Sequence, residues 1–543
     1  MTVQAATAAR TSAEQVLSRR QAHAQAGRGL PGWVAPTFLV LVVPLTRVPF
    51  ITQTLYGFDS ANYALAVSRF YNVAFHQPHP PGYPVYVALA RVLDVAFHDA
   101  NRSLVVESIA WATLAVACTI VLGSRLFGRT AGLLAGFLLC FTVGFWGYSE
   151  VAYPYVALAG ETASLALLAQ LTLAGRRRVV VLMGLAWAVA AGVRWDAAAF
   201  CGPLWLWALC SVCSWRLRLG SLGLAGAVVA GWAAPMIALS GGWDAYRGAV
   251  SDYLKVWSPQ SAFVLGDYAS GGDTQAGYNL NFLVNYLRQM LGVQLLLVPY
   301  LVGRRFGPGS LAIDVRSRFL GLWTLPPLLT YVFAHLGEPG YVLSLAPQAA
   351  ILSAVAVQDL AHETSLFSTV LRARGWRTSP RLADAVVGLL VLAVVGWNVQ
   401  AFLRGVGPGR LPDLRGHDLT TSAQVAFVRS QPRDSTLVLA HDLLRQLQYY
   451  VPGQRVDLLY SEYLPDWDRV RTRTELPTGT TQVVVLDSPL EVPPEDRPRV
   501  REILLREQPR VSAWLIDVRG ARAVEHGYRY VKVLPINPAG ESN

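Results

Sequence analysis

Charge is what this sequence has least of. Only 15% of its 543 residues are Asp, Glu, Lys or Arg, and 53% are hydrophobic, where a soluble domain carries roughly 25% charged residues. The deficit is concentrated in stretches such as Ser103–Gly123, Thr130–Tyr148, Val179–Val193 and Ala385–Phe402. Each is close to the roughly 17–25 apolar residues that a bilayer-crossing helix requires. A water-soluble chain could not cover so much apolar surface, so soluble classes are excluded. Lysine is nearly absent too: of 46 basic residues, only Lys255 and Lys532 are lysines. The arginines sit in short turns between apolar runs and form no stripe interleaved with aromatics. Nucleic-acid binding is therefore excluded despite the net charge of +11. The pattern is that of cytoplasmic loops under the positive-inside rule, and the arginine bias is the mark of a GC-rich, bacterial genome.

Cysteine is scarce as well. Cys118, Cys140, Cys201, Cys210 and Cys213 all fall within or at the ends of apolar stretches. The lone Cys210–Cys213 CxxC has no second pair and no nearby histidine, which argues against zinc. The segment beyond residue 404 has no cysteine and needs no disulfide. Residues 1–32 are polar and Arg-bearing, without an apolar core before a small-residue cleavage site. They read as a disordered cytoplasmic tail.

Trp33–Ile51 reads as the first span, with Arg10, Arg19, Arg20 and Arg28 before it, so the N-terminus is expected in the cytoplasm. Parity then decides whether Gly82–Phe97 crosses. If it does not, ten further spans follow: 103–123, 130–148, 155–175, 179–193, 197–212, 221–240, 285–302, 319–335, 341–358 and 384–404. All the strong Arg turns (Arg125 with Arg129, Arg176–Arg178, Arg216 with Arg218, Arg304–Arg318, Arg372–Arg381) then share one side. If it does cross, they all flip. Gly82–Phe97 also carries Arg91 and Asp94 and opens on Pro80-Pro81-Gly82, which suits a helix lying at the interface. The expectation is a polytopic α-helical protein of the inner (plasma) membrane with about eleven spans over residues 33–404. Residues 52–101 form its first outer loop, and residues 405–543 form an extracytoplasmic α/β domain. In that domain Ser435–Ala440, Val456–Tyr460, Gln482–Asp487, Val511–Val518 and Tyr530–Leu534 read as strands, and Asp442–Tyr450 and Arg497–Arg506 as helices. No internal repeat of the transporter kind is visible.

Ionisable residues beside a span mark function, and on this topology they collect at one end. Arg47 and Asp59 flank the first span; His76, His79, Arg91 and Asp94 occupy the first outer loop. Glu107, Glu150, Tyr153, Glu161, Arg194 and Asp196 lie at the next outer turns, and His335, Glu338 and Tyr341 at the last. The bilayer centre is left nearly free of charge. An ion path needs stepping-stones through the full thickness, whereas a cluster at one leaflet boundary suits a substrate arriving laterally from lipid. That favours an enzyme over a channel or transporter.

The residues Asp59-Ser60, then Ala61–Tyr71, then His79-Pro80-Pro81-Gly82-Tyr83-Pro84-Val85-Tyr86 resemble the first outer loop of GT-C membrane glycosyltransferases. The resemblance is to the branch related to protein O-mannosyltransferases, where an acidic residue after the first span precedes an HPPGxPxY segment. Arg125-Leu126-Phe127-Gly128-Arg129 followed by Ala131–Ala135 is similar to that superfamily's next cytoplasmic loop, and Gly340-Tyr341 to Pro347 to a later segment. The likeness covers residues 33–200 by motif and the remainder by topology. It implies transfer of a sugar from a polyprenyl-phosphate carrier to a protein, lipid or glycan acceptor on the outer face, by inverting displacement. The family's loop acid maps to Asp59. This chain has Asp-Ser where the mannosyltransferases proper have an adjacent acidic pair.

Such a transfer needs a base, a cation for the leaving phosphate and a surface for the sugar. Asp59 is the candidate base, as a partly desolvated carboxylate at the membrane boundary; its structural alternative is a helix N-cap. Arg194 is the candidate phosphate ligand, with an ion pair to Asp196 as the alternative and Arg47 and Arg91 as further candidates. His79 would touch donor or acceptor, and Glu150 with Tyr153 would orient acceptor or sugar. His335, Glu338 and Tyr341 complete the set, while Trp146, Trp195 and Trp243 fit an interfacial belt. A divalent metal is left open, although no cluster has the spacing of a dedicated site, and the lipid-linked sugar donor is the one cofactor-like partner implied. The turn Ala440-His441-Asp442 lacks a Gly-rich loop, so acceptor binding or a lid fits it better than a nucleotide. The rival class is a transporter or flippase of a lipid-linked glycan using the same outer cavity.

Overall fold

Uninterrupted apolar sequence forms helix wherever backbone groups must bond internally, and the computed structural model follows that rule through residue 404. It describes residues 31–261, 275–300, 314–334, 336–373, 382–461, 467–486 and 490–535. The N-terminal tail to residue 30, His335, and most of the 304–318 and 372–381 turns lie outside the described residues.

The helices run α1 (Val34–Arg47), α2 (Phe58–Ser68), α3 (Pro84–Phe97), α4 (Ala100–Phe127), α5 (Arg129–Cys140), α6 (Val143–Tyr148), α7 (Tyr155–Leu173), α8 (Val179–Val193), α9 (Trp195–Ser211), α10 (Trp215–Leu239), α11 (Trp243–Ser261), α12 (Gln275–Leu291), α13 (Val315–Phe333), α14 (Ala346–Ala373) and α15 (Leu382–Arg404). Six described segments are long and apolar enough to cross a membrane: 100–127, 155–173, 215–239, 279–300, 339–364 and 385–404. Shorter apolar helices cover 34–50, 129–140 and 179–193. Leu389, Leu392 and Trp397 of α15 are more than 60% exposed, as side chains facing lipid would be.

The single span expected over Thr130–Tyr148 is not one helix. It breaks at Phe141-Thr142, and Thr142 adopts an extended conformation before α6. Apolar periodicity has no means of showing such a break. The close fit of α4 on α5 rests on Gly132, where an added Cβ would stand 2.3 Å from the Ile120 carbonyl oxygen and 2.1 Å from Ser124 Oγ; small residues let membrane helices approach in this way.

Two ends of the bundle can be told apart by contacts. At one, Arg129 donates to the Gly32 carbonyl and Arg125 to Gln170. At the other, Thr52 donates to the Glu150 carbonyl and Asn101 to the Thr52 carbonyl. Asp59 and the Arg125/Arg129 turn therefore occupy opposite ends. The segment 82–97 does not extend the bundle: α3 packs on α2, α4 and α8 beside the second end.

Beyond α15 the chain forms α16 (Leu411–Arg429), β1 (Thr436–Ala440), α17 (Leu444–Tyr450), β2 (Arg455–Leu458), β3 (Arg471–Glu475), β4 (Gln482–Val485), β5 (Val500–Arg506), β6 (Val511–Asp517), β7 (Ala521–Gly527) and β8 (Tyr530–Pro535). Five strands make a mixed sheet in the order β2-β1-β4-β6-β5, and β3-β7-β8 make an antiparallel one. Strands β2, β1 and β4 are parallel, with Leu437 opposite both Arg455 and Val483. Every residue of β1 is buried, because Val438 and Ala440 face Val428 and Leu447 on one side and Leu437 and Leu439 meet Val524 and Val533 on the other. That is why it reads as continuously apolar. The helix expected over Arg497–Arg506 is instead a short 3-10 turn followed by β5. Glu502, Leu504, Leu505 and Arg506 are good helix formers, but pairing with β6 overrides them.

Candidate active site

Asp59 stands in the first turn of α2, two residues after the extended Gly57 that precedes the helix. It is not the N-cap, and no side chain caps this helix. Its Oδ1 lies 3.4 Å from His79 Nδ1, with the Asp59 side chain 34% exposed and that of His79 only 8%. The His79 ring is stacked 6.0 Å from Tyr253 and lies 5.4 Å from Tyr63 and 5.0 Å from Tyr83. Its Nε2 is 3.3 Å from Tyr83 Oη. Burial pushes the imidazole below its ordinary range, against the pull of Asp59, so His79 is neutral at pH 7.

Arg194 is the extended residue that separates α8 from α9. Its Nε donates to Asp196 Oδ2 at 2.9 Å. The guanidinium lies 4.3 Å from the Tyr341 ring centre and 4.8 Å from that of Tyr155. Tyr153 and Tyr155 stack at 5.0 Å, and Tyr155 adjoins Tyr341 at 5.4 Å. Both rings of that stacked pair lie within electrostatic reach of Asp59 and of Glu338. Tyr153 Oη fits against Gly57 so closely that a Cβ there would come within 2.5 Å. The structure thus gathers Asp59, His79, Tyr153, Arg194, Asp196, Glu338 and Tyr341 about one cluster of tyrosine rings. Glu161 lies buried in α7 behind it, near Arg194 and Asp196.

Other candidates are placed elsewhere. Arg47 is fully buried, donates to the Cys140 carbonyl and lies 4.8 Å from the Trp146 ring. Glu150, also fully buried, accepts from Trp146 Nε1 at 2.7 Å. Burial pushes its carboxyl up to about 9, against the charge of Arg47. Trp146 is therefore no part of an interfacial belt: it is 5% exposed and stacked on Phe402 at 4.5 Å. Trp195 and Trp243 are more than 50% exposed. Arg91 directs Nε and Nη2 to the Ala66 carbonyl at the end of α2, a favourable place for a cation.

The segment that leads to Asp59 is held from both sides. Thr52 is fixed by Glu150 and Asn101. From the C-terminal domain, Asp418 accepts from Gln53 N at 3.0 Å, Thr54 N at 2.9 Å and Thr54 Oγ1 at 2.8 Å. Leu55 N donates to Tyr450 Oη at 2.8 Å, and His417 Nε2 lies 3.2 Å from the Leu55 carbonyl oxygen. Tyr56 bonds Asp413. Sequence reasoning missed Asp413, His417, Asp418 and Tyr450, which sit in polar stretches with no motif. It also passed over Tyr155 and Tyr83, although Tyr148, Tyr153 and Tyr155 are close enough in sequence to have been noticed. Among the described residues no three His, Cys, Asp or Glu side chains group as metal ligands would.

A helical membrane bundle with an appended α/β domain defines the class of this chain as a polytopic membrane protein, and its fold recurs among solved structures. Among solved structures the chain is similar to ArnT from Cupriavidus metallidurans bound to undecaprenyl phosphate, at 16% identity and a TM-score of 0.54, over 90% of this chain and 98% of that one. The apo form of the same protein gives 15%, 0.51, 89% and 98%. The Archaeoglobus fulgidus oligosaccharyltransferase in its apo form is more remote, at 12% identity and 0.46 over 78% of this chain and 64% of that one. No family model and no curated protein sequence matches the chain.

Proposed function

We propose that the protein transfers a sugar from a polyprenyl-phosphate carrier to an acceptor hydroxyl at the extracytoplasmic membrane face, with Asp59 as general base. In that step the acceptor oxygen attacks the anomeric carbon as its proton passes to Asp59. The bond from that carbon to the phosphate oxygen breaks, and the carrier phosphate leaves with the electron pair. The observation that carries this reading is Asp59 itself, a one-third-exposed carboxylate beside the neutral His79 and near a cluster of tyrosine rings. A carboxylate within reach of water and of an incoming hydroxyl can accept the proton that the hydroxyl gives up.

Arg194 supplies the cation. Asp196 occupies its Nε and two tyrosine faces hold its plane, so it is preorganised for charge that develops on the leaving phosphate. The compartment follows from the arginine turns, which by the positive-inside rule put the Asp59 end outside. A neighbour of the same fold bound to undecaprenyl phosphate supports a carrier of that class. The test uses the full chain in nanodiscs with a polyprenyl-phosphate sugar. Asp59→Asn should lower turnover by about 10²–10⁴-fold, the range for losing a general base, with carrier binding retained. Near-normal turnover would remove Asp59 from this role.

A further inference from the structure

Several arginines at this end of the bundle have carboxylate company, as charge drawn out of water requires. Arg194 pairs with Asp196 and Arg415 with Asp418, and Arg410 lies in the field of Asp413. Arg445 is different. It projects from α17, which packs on α2, and its Cζ lies 5.7 Å from the ring centre of Phe58, the residue before Asp59. Nη1 donates to Gln448 Oε1 at 2.9 Å, while Nε is buried with no hydrogen-bond partner. Among the described residues no carboxylate pairs with it. Burial lowers its pKa, and no acid offsets that. A half-buried guanidinium with an unused N–H and no carboxylate beside it is free to take an anion from outside the chain.

The neighbourhood says what that anion belongs to. His76, half-buried on the outer loop, lies in the field of Arg445, His79 and Asp59. Two guanidinium groups thus flank the acid, Arg194 reached through His79 and Arg445 through Phe58 and His76. Arg194 is 3% exposed at the ends of two membrane helices, where a lipid carrier's phosphate arrives. Arg445 belongs to the domain outside the bundle and meets α2 beside Asp59. Resting on the transferase reading above, we propose that Arg445 and His76 form an oxyanion site for the acceptor, so that the acceptor carries a phosphate or a carboxylate near the hydroxyl it offers. A fork of N–H donors beside a neutral imidazole can bind either group.

The test titrates full-length protein in nanodiscs with inorganic phosphate at constant ionic strength, and separately with undecaprenyl phosphate, following thermal stability. Phosphate should protect the wild type. Arg445→Ala should need at least ~10-fold more phosphate for the same protection, the loss expected for a charge-assisted contact. Arg445→Lys should recover part of it, and Arg510→Ala, in the turn between β5 and β6, should change nothing. Binding of undecaprenyl phosphate should be the same in Arg445→Ala as in the wild type. Should Arg445→Ala unfold, Arg445→Gln, which keeps the bulk of the side chain, carries the comparison. Equal phosphate protection of wild type and variant, or none in the wild type, overturns the site. Loss of undecaprenyl phosphate binding in Arg445→Ala assigns the arginine to the carrier and overturns the acceptor. A wild type that binds phosphate but no undecaprenyl phosphate would instead defeat the transferase reading.

Discussion

Two acids at the same end of the bundle have opposite surroundings. Asp59 is a third exposed and touches an imidazole; Glu150 is sealed under Trp146 with its carboxyl pushed up to about 9. At pH 7 Glu150 therefore carries a proton, and an amide can take its place. Glu150→Gln should keep turnover within about threefold of wild type. Glu150→Ala would orphan Trp146 Nε1 and leave a void, costing about 2–4 kcal/mol. Thermal melts and turnover measured on both variants would check this, and a dead but well-folded Glu150→Gln would show instead that the acid itself is required.

Among the elements, α16 has the most leverage for its size. Asp418 gathers two backbone N–H groups and a hydroxyl from the strap ahead of Asp59. Removing it leaves buried donors without an acceptor, at a cost of about 1–3 kcal/mol for each. Asp418→Ala should lower the melting temperature and reduce turnover more than tenfold, with carrier binding intact. Unchanged turnover in the folded variant would show that the strap does not place the acid. Elements also differ in how well the sequence announces them. The apolar stretches and the acid-to-HPPG loop are visible because burial in lipid and a proline-rich bend leave strong local marks. The strands β3 and β7 and helix α16 leave almost none, since Arg-Thr-Arg-Thr-Glu and Leu411–Arg429 are polar and take their shape from partners distant in sequence. Of the candidate site, Asp59, His79 and Arg194 could be picked out as charges beside spans. The clasp by Asp418 and Tyr450 could not, because nothing within a few residues of either hints at a partner near residue 54.

For the whole molecule, protonation sets a direction of stability. His76, His79, His417 and His526 are all pushed below the ordinary histidine range, chiefly by burial. Each binds a proton more readily when unfolded, so its contribution is full above pH ~6.5 and is lost as pH falls toward the folded value. Glu150 acts with the opposite sign, since its raised pKa favours the folded state at low pH, so the histidine contribution is read by comparing a variant with the wild type. Between pH 7 and pH 5 each histidine that titrates should remove up to about 1.4 kcal/mol of stability per pH unit. Substituting His526 by Gln, which keeps a polar group beside Thr474, should make stability fall less, or rise more, on acidification than in the wild type. The same pH dependence of thermal melts in the variant and the wild type would contradict it.

The clasp on the strap also bears on how the protein is made. Thr54 and Asp418 are 364 positions apart in the chain, and Leu55 and Tyr450 are 395 apart. During synthesis the loop acid is delivered early with its anchors at Thr52, yet the groups that hold residues 53–56 emerge only after every membrane helix has been laid down. A ribosome-bound intermediate would hold Asp59 on a strap fixed at one side alone, so the full geometry arises only once the last segment has been made and docked.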